Sequence, residues 1–143
     1  MRHGATLLEL LAALAILAIL AAVAVPAAGL ARDRALVALT ARHLASAHTD
    51  TRTVARLQGA RAELVITPTT YRQQRWSGTG FTPTWSRPGP ASTGVALAGP
   101  NTPIVFDSRG YSLGVANRTY RLSRGRASLR VVISRLGRLR ILP

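Results

Sequence analysis

The chain has no cysteine and no lysine, a single Met, and only two Trp, three Tyr and two Phe among its 143 residues. Without cysteine there is no disulfide framework and no thiolate chemistry. Acids are nearly as scarce. Five Asp and Glu face 19 basic residues, all Arg, for a net charge of +14. That balance sets up a positive potential favouring polyanions or anionic lipid as partners. Asp33, Asp50, Glu63 and Asp107 are scattered, so none forms the paired-carboxylate spacing of an acid–base site. His43 and His48 are five apart, which turns them roughly 140° from each other on a helix and excludes an i, i+4 metal pair. They are expected to be polar residues of a helix surface. A zinc site lacks ligands. Ser77-Gly78-Thr79-Gly80 lacks the lysine and following helix of a phosphate loop. No catalytic site, metal or cofactor is expected, and the chain is not read as an enzyme.

What is present begins with a long apolar run. Leu10 to Ala31 carries no charged side chain. As a helix, this run would span roughly 33 Å, enough to cross a hydrocarbon core of about 30 Å. Three readings compete. A cleaved signal peptide has a passable small-residue site at Ala22-Val23-Ala24, but the run exceeds the usual h-region and Met1-Arg2-His3 is a thin basic leader. An ordinary signal anchor is the second. The third turns on Glu9, because a carboxylate at the edge of an apolar helix is costly unless it is paired and therefore flags function.

The stretch Met1-Arg2-His3-Gly4, then Ala5-Thr6-Leu7-Leu8-Glu9 and the apolar run, resembles the type IV prepilin leader. The resemblance implies cleavage by prepilin peptidase after Gly4 and methylation of the new amine at Ala5, where most members carry Phe. His3 would be lost with the leader. It also implies that Glu9 neutralises the amine of a neighbouring subunit during assembly. Pro26 falls at the twenty-second mature position, where pilins commonly carry a helix-kinking proline.

The helical pattern continues past the apolar run. Leu30, Leu36, Val37, Thr40, Ala47, Thr51 and Val54 fall within about 80° of Leu44 on a wheel, with Arg32, Arg34, Arg42, Arg52 and Arg56 on the other side. One helix from about Ala5 to Leu57, broken near Pro26 and stopped by Gly59, is predicted. Beyond it the period shifts towards two. Residues 62–66 and 70–76 read as a hairpin, and 77–103 mainly as loop with a short strand near Val95-Ala96-Leu97. Strands follow at 104–106, 118–123, 128–134 and 138–142. Alternation sends Leu129, Val131 and Ile133 to one face, and Leu139 with Ile141 likewise. The fold class is α+β: a long N-terminal helix packed on a small antiparallel β-sheet domain. The expected organisation is a leader at 1–4, a transmembrane and filament-core helix at 5–31, an amphipathic helix at 32–58 and a β-rich domain at 59–143.

IVFDSRGYSLG and TYRLSRGRASLRVVISRLGRLRI resemble the C-terminal half of the GspH/FimT pseudopilins, with their Phe-x-x-x-Gly turn and two-hairpin ending. The resemblance implies a minor pseudopilin, a structural subunit of a type II secretion system or type IV pilus-like filament. It would be a single-pass protein of the bacterial inner membrane with its C-terminal domain periplasmic. Its partners would be other pilin or pseudopilin subunits, prepilin peptidase and inner-membrane lipid. The alternative is a DNA-binding minor pilin for natural transformation. Nine Arg and no acid lie between Arg109 and Arg140. If their strands are adjacent, Arg121, Arg130, Arg138 and Arg140 form a basic stripe suited to the phosphates of double-stranded DNA. Gly137-Arg138-Leu139-Arg140 also resembles the Gly-Arg-x-Arg tail of FimT-type pilins. Tyr71, Trp76, Phe81, Trp85, Tyr111 and Tyr120 offer rings for stacking, though core or loop packing is the simpler use of most of them.

Overall fold

The computed structural model describes residues 6–114 and 117–143, so Gly4 and Ala5 lie outside the described residues. The chain divides into two compact units, Met1–Arg32 and Asp33–Pro143. A helix, α1, runs from Leu7 to Leu57 with Pro26 inside it. The break expected at Pro26 is absent. Proline removes one backbone donor, but the helix continues on either side of it.

The first unit is the apolar part of α1. Thr6 caps it: the Glu9 N–H donates to Thr6 Oγ1 at 3.3 Å, and the Leu10 N–H donates to the Thr6 carbonyl at 3.2 Å. Thr6 and Glu9 thus hold the positions of a capping box, with the acid in the first turn where the helix dipole favours it. Every described residue of this unit up to Gly29 is exposed.

In the second unit, α1 buries Val37, Thr40, Ala41, Leu44, Ala47, His48, Thr51 and Ala55, the three-and-four spacing of one helix face. His48 is a correction to the sequence reading. It is 2% exposed, not a surface residue, and its ring meets Phe106 edge-on at 5.1 Å.

Among the described residues, nine strands form two antiparallel sheets where one was expected. The first sheet has the order β3 (Phe81–Pro88), β2 (Thr70–Trp76), β1 (Ala62–Ile66), β5 (Ile104–Phe106), β6 (Ser112–Leu113). The second has the order β4 (Ala96–Ala98), β7 (Arg118–Arg124), β8 (Ala127–Ile133), β9 (Leu139–Leu142). The β1–β2 hairpin and the strands at 104–106, 118–124, 127–133 and 139–142 match the sequence reading closely. β3 and the two-residue β6 are additions: the sequence reads 77–103 mainly as loop and predicts no strand at 112–113. Two prolines and a flanking Gly-Ser-Thr run concealed β3, yet it is an edge strand. Pro83 sits where the β2–β3 register shifts between Gln73 and Gln74. An edge strand at a bulge tolerates a missing N–H.

One core joins the helix face to both sheets: Leu44, Leu64, Ile104, Phe106, Tyr120, Leu122, Val131 and Ile133 are all buried. Each large side chain there contributes about 1.5–3 kcal/mol by leaving water. Leu139 and Ile141 share one face of β9, as alternation predicts; Leu139 packs at the rim of this core and Ile141 is 40% exposed. It opposes the buried Val131, and β9 is the last strand of its sheet.

The Phe106–Tyr111 turn is held tightly. The Gly110 N–H donates to the Asp107 carbonyl and the Asp107 N–H to the Tyr111 carbonyl, both at 2.9 Å. Gly110 has φ +83°, and a Cβ there would lie 2.7 Å from Arg56 Cδ, so glycine is required on two grounds.

Candidate functional site

Two regions hold the residues singled out by sequence. In the first unit, Glu9 occupies the opening turn of a segment whose Leu7, Leu8, Leu11, Leu14, Leu17 and Leu20 are all more than half exposed. This is the one helix among the described residues that is long and apolar enough to cross a membrane. Exposed apolar area on this scale is unusual for a folded chain and marks a surface that other apolar groups cover. Pro26 lies within it, in the helix interior.

In the second unit, β7, β8 and β9 are neighbours, so the four arginines named from sequence do share a region. Arg121 and Arg130 are direct cross-strand partners. Arg140 opposes Val132, two residues along β8 from Arg130 and on the same face. Arg138 lies just before β9, where its N–H donates to Ser134 Oγ at 3.1 Å. All four side chains are exposed. Arg130 Nε donates to the Pro143 carbonyl at 3.3 Å. Like charges set directly opposite each other in a sheet are unfavourable. Among the described residues, no Asp or Glu side chain pairs with them, because those acids lie elsewhere. Asp33 pairs with Arg124 at 2.7 Å, Asp50 with Arg87 at 3.2 Å and Asp107 with Arg109 at 3.2 Å. Glu63 is on β1 in the other sheet, its carboxyl pushed up by burial. Burial also raises Asp107, but the Tyr111 and Arg109 N–H groups and the Arg109 guanidinium hold it below the usual range.

Sequence reasoning missed two residues beside this region. A cleft of about 370 Å³ is lined by Arg138, Leu139 and Arg140 together with His48, Thr49 and Arg52 from α1. Arg52 is anchored, its Nε donating to the Gly110 carbonyl at 2.9 Å. His48 Nε2 is buried without a partner. Burial first, and the Arg52 charge second, lower His48 to about 4, so it is neutral near pH 7. A signal was available. On a wheel His48 lies about 40° from Leu44, inside the apolar arc.

The rings do not gather on the basic face. Tyr71 and Tyr120 are core residues whose hydroxyls burial holds in the neutral form. Trp76 meets Phe81 edge-on at 5.2 Å, Arg87 stacks over Trp85 at 4.2 Å, and Arg109 lies 5.6 Å from the Tyr111 ring. Among the described residues, no cluster of His, Asp or Glu could hold a metal ion.

Residues 1–25 match the prokaryotic N-terminal methylation motif. No curated protein matches the chain. The fold is similar to that of the type IV minor pilin FimU of Pseudomonas aeruginosa strain PAO1 in two crystal forms. In the first the TM-score is 0.64 at 14% identity, covering 75% of this chain and 88% of that one. In the second it is 0.60 at 14% identity, covering 73% and 90%. The fold is therefore pilin-like: a long N-terminal helix and antiparallel sheets, headed by a prepilin motif.

Proposed function

We propose that this chain is a minor pilin subunit of the GspH/FimT type, anchored in the bacterial inner membrane with its globular unit on the periplasmic side. It is cut by prepilin peptidase between Gly4 and Ala5, methylated on the Ala5 amine, and built into a filament with other pilin or pseudopilin subunits. The observation that carries this reading is the bare apolar segment opening with Glu9. A helix that leaves Leu7 to Val25 exposed has no use for those side chains within its own fold. Lipid before assembly and neighbouring helices after it provide their environment. Glu9, the one charge at the edge of that segment, then serves as the partner of a neighbour's N-terminal amine. Pro26 loosens the helix where such bundles need to adapt. The filament belongs to a type II secretion or type IV pilus machine, where the subunit's work is structural.

The test is Glu9→Val. It should leave thermal unfolding of the globular unit unchanged and reduce the share of subunit recovered in filaments of the native system. Recovery equal to wild type would remove the charge-pairing role.

A second reading, a DNA-receptor pilin for transformation, is favoured by one observation: the opposed Arg121 and Arg130, with Arg138 and Arg140 alongside and no acid among them. Such a face meets phosphates and not base edges, so binding would be largely independent of sequence. For the full chain in neutral detergent, duplex affinity should fall with salt, with a log–log slope of about −0.9 per phosphate contacted. Arg138→Gln with Arg140→Gln should flatten that slope by about two units. Arg32→Gln with Arg34→Gln, removing the same charge, should change it little. Equal losses in both pairs would mean that bulk charge alone attracts DNA.

A further inference from the structure

The β7–β8 hairpin folds onto α1 at Asp33 and Arg34, only a few residues beyond the apolar run. Arg124, the last residue of β7, places its Nε 2.7 Å from Asp33 Oδ1 and also donates to the Thr93 carbonyl. Gly125 follows with φ +52°, and a Cβ there would collide with the Asp33 carboxylate, so the turn is pressed against the helix. Arg126 comes next. It and Arg34 are exposed and together flank a cleft of about 420 Å³, whose remaining walls include Val37, Ala38, Ser128 and Leu129. The cleft thus has two guanidinium groups at its rim, an apolar wall, and no acid in its lining. The nearest carboxylate in sequence, Asp33, is already held by Arg124.

We propose that this cleft seats one anionic phospholipid, the two guanidinium groups on its headgroup phosphate and Val37, Ala38 and Leu129 against its glycerol and first methylenes. Three features favour this occupant. Arg34 is three helical residues past Ala31, the end of the uncharged run, a rise of about 4.5 Å. The headgroup layer on each side of a bilayer is about 5–7 Å deep, so the chain itself tethers the cleft at that level. Each arginine close to an anionic surface strengthens binding about fivefold, whereas a zwitterionic headgroup returns little net attraction. The lining is amphiphilic, as a lipid's glycerol region is and a free phosphate is not. The Asp33–Arg124 pair holds the hairpin in place before any lipid arrives, so little ordering is left for binding to do. In this arrangement Asp33 serves the site indirectly, by positioning the hairpin that carries Arg126.

The inference rests on the membrane-anchored reading, and one experiment separates the two. The full chain is reconstituted in nanodiscs of phosphatidylcholine with a rising share of phosphatidylglycerol, and lipid retained on the released protein is read by native mass spectrometry. Wild type should retain phosphatidylglycerol over phosphatidylcholine. Arg34→Gln with Arg126→Gln should lower that preference about tenfold or more. Arg138→Gln with Arg140→Gln removes the same charge and should leave it unchanged. Both pairs are surface substitutions, and unchanged thermal unfolding confirms that each variant is folded. A chain that enters no disc of any composition overturns the anchor and the lipid site together. A chain that enters discs but shows no preference, or loses it equally in both pairs, overturns the lipid site alone. So does a result in which the Arg34 and Arg126 pair loses affinity for a short DNA duplex and keeps its lipid, which would assign the cleft to nucleic acid.

Discussion

Leu14 and Leu44 are the same side chain on the same helix, yet one is 62% exposed and the other is fully buried. Nothing in helix propensity distinguishes them. The difference lies in what the rest of the chain supplies. From Val37 onward the helix alternates between a face covered by two sheets and a face carrying Arg42, Arg52 and Arg56. From Leu10 to Gly29 it is apolar all round and every residue is exposed. A helix that is hydrophobic on every side belongs in a membrane or a bundle, whereas a one-sided helix belongs against a core. On the proposed function the two regions divide the protein's work: one makes a fold and the other makes an assembly.

Substitutions should sort by region. Phe106→Ala removes a wholly buried ring from the junction of helix and sheet and should cost about 3–5 kcal/mol of unfolding free energy, measured by denaturant titration of the detergent-solubilised chain. Leu14→Ala, losing a comparable apolar side chain, should leave that transition where it is. A matching loss for Leu14→Ala would show that the apolar segment contributes to the fold, and the division would break.

A somewhat smaller effect sharpens the comparison from the side of charge. Burial and Arg52 lower His48 from 6.5 to about 4, so as pH falls the unfolded chain takes up this proton first. His48 should therefore contribute full stability above about pH 6.5 and lose it progressively down to about pH 4, on the order of 3 kcal/mol in all. His48→Gln should flatten unfolding free energy against pH across that window. A wild-type profile already flat between pH 6.5 and 4 would mean that the ring is hydrated and not part of the core.

The two regions also differed in how far the sequence could be read. The apolar segment needs only one-dimensional information: an uncharged run of sufficient length, with Glu9 at its edge, says what it says without a partner strand. Hairpins with short turns were legible for the same reason. Leu64 and Ile66 alternate with Glu63 and Val65, and Arg124 to Ala127 closes β7 on β8 through a two-residue loop. What escaped required knowing a neighbour. β3 is recognisable as a strand only once β2 is beside it and the bulge at Gln73 and Gln74 accommodates Pro83. By residue type His48 reads as a surface position, although its wheel position is apolar; only Phe106, 58 residues on, makes the burial sensible. The basic face stood between these cases. Alternation located Arg121, Arg130, Arg138 and Arg140, but their company depended on the order β7-β8-β9, and Arg52 joined them only through the folded helix.

The central claim, that the first region is an assembly element released by processing, is tested most directly at its N-terminus. Protein recovered from membranes of a host that has its own prepilin peptidase should show, by intact mass and N-terminal fragment spectra, a chain beginning at Ala5 and carrying one N-methyl group. A chain beginning near Ala24 to Ala28 would contradict it, because signal peptidase would then have discarded Glu9 and the apolar segment before any filament formed.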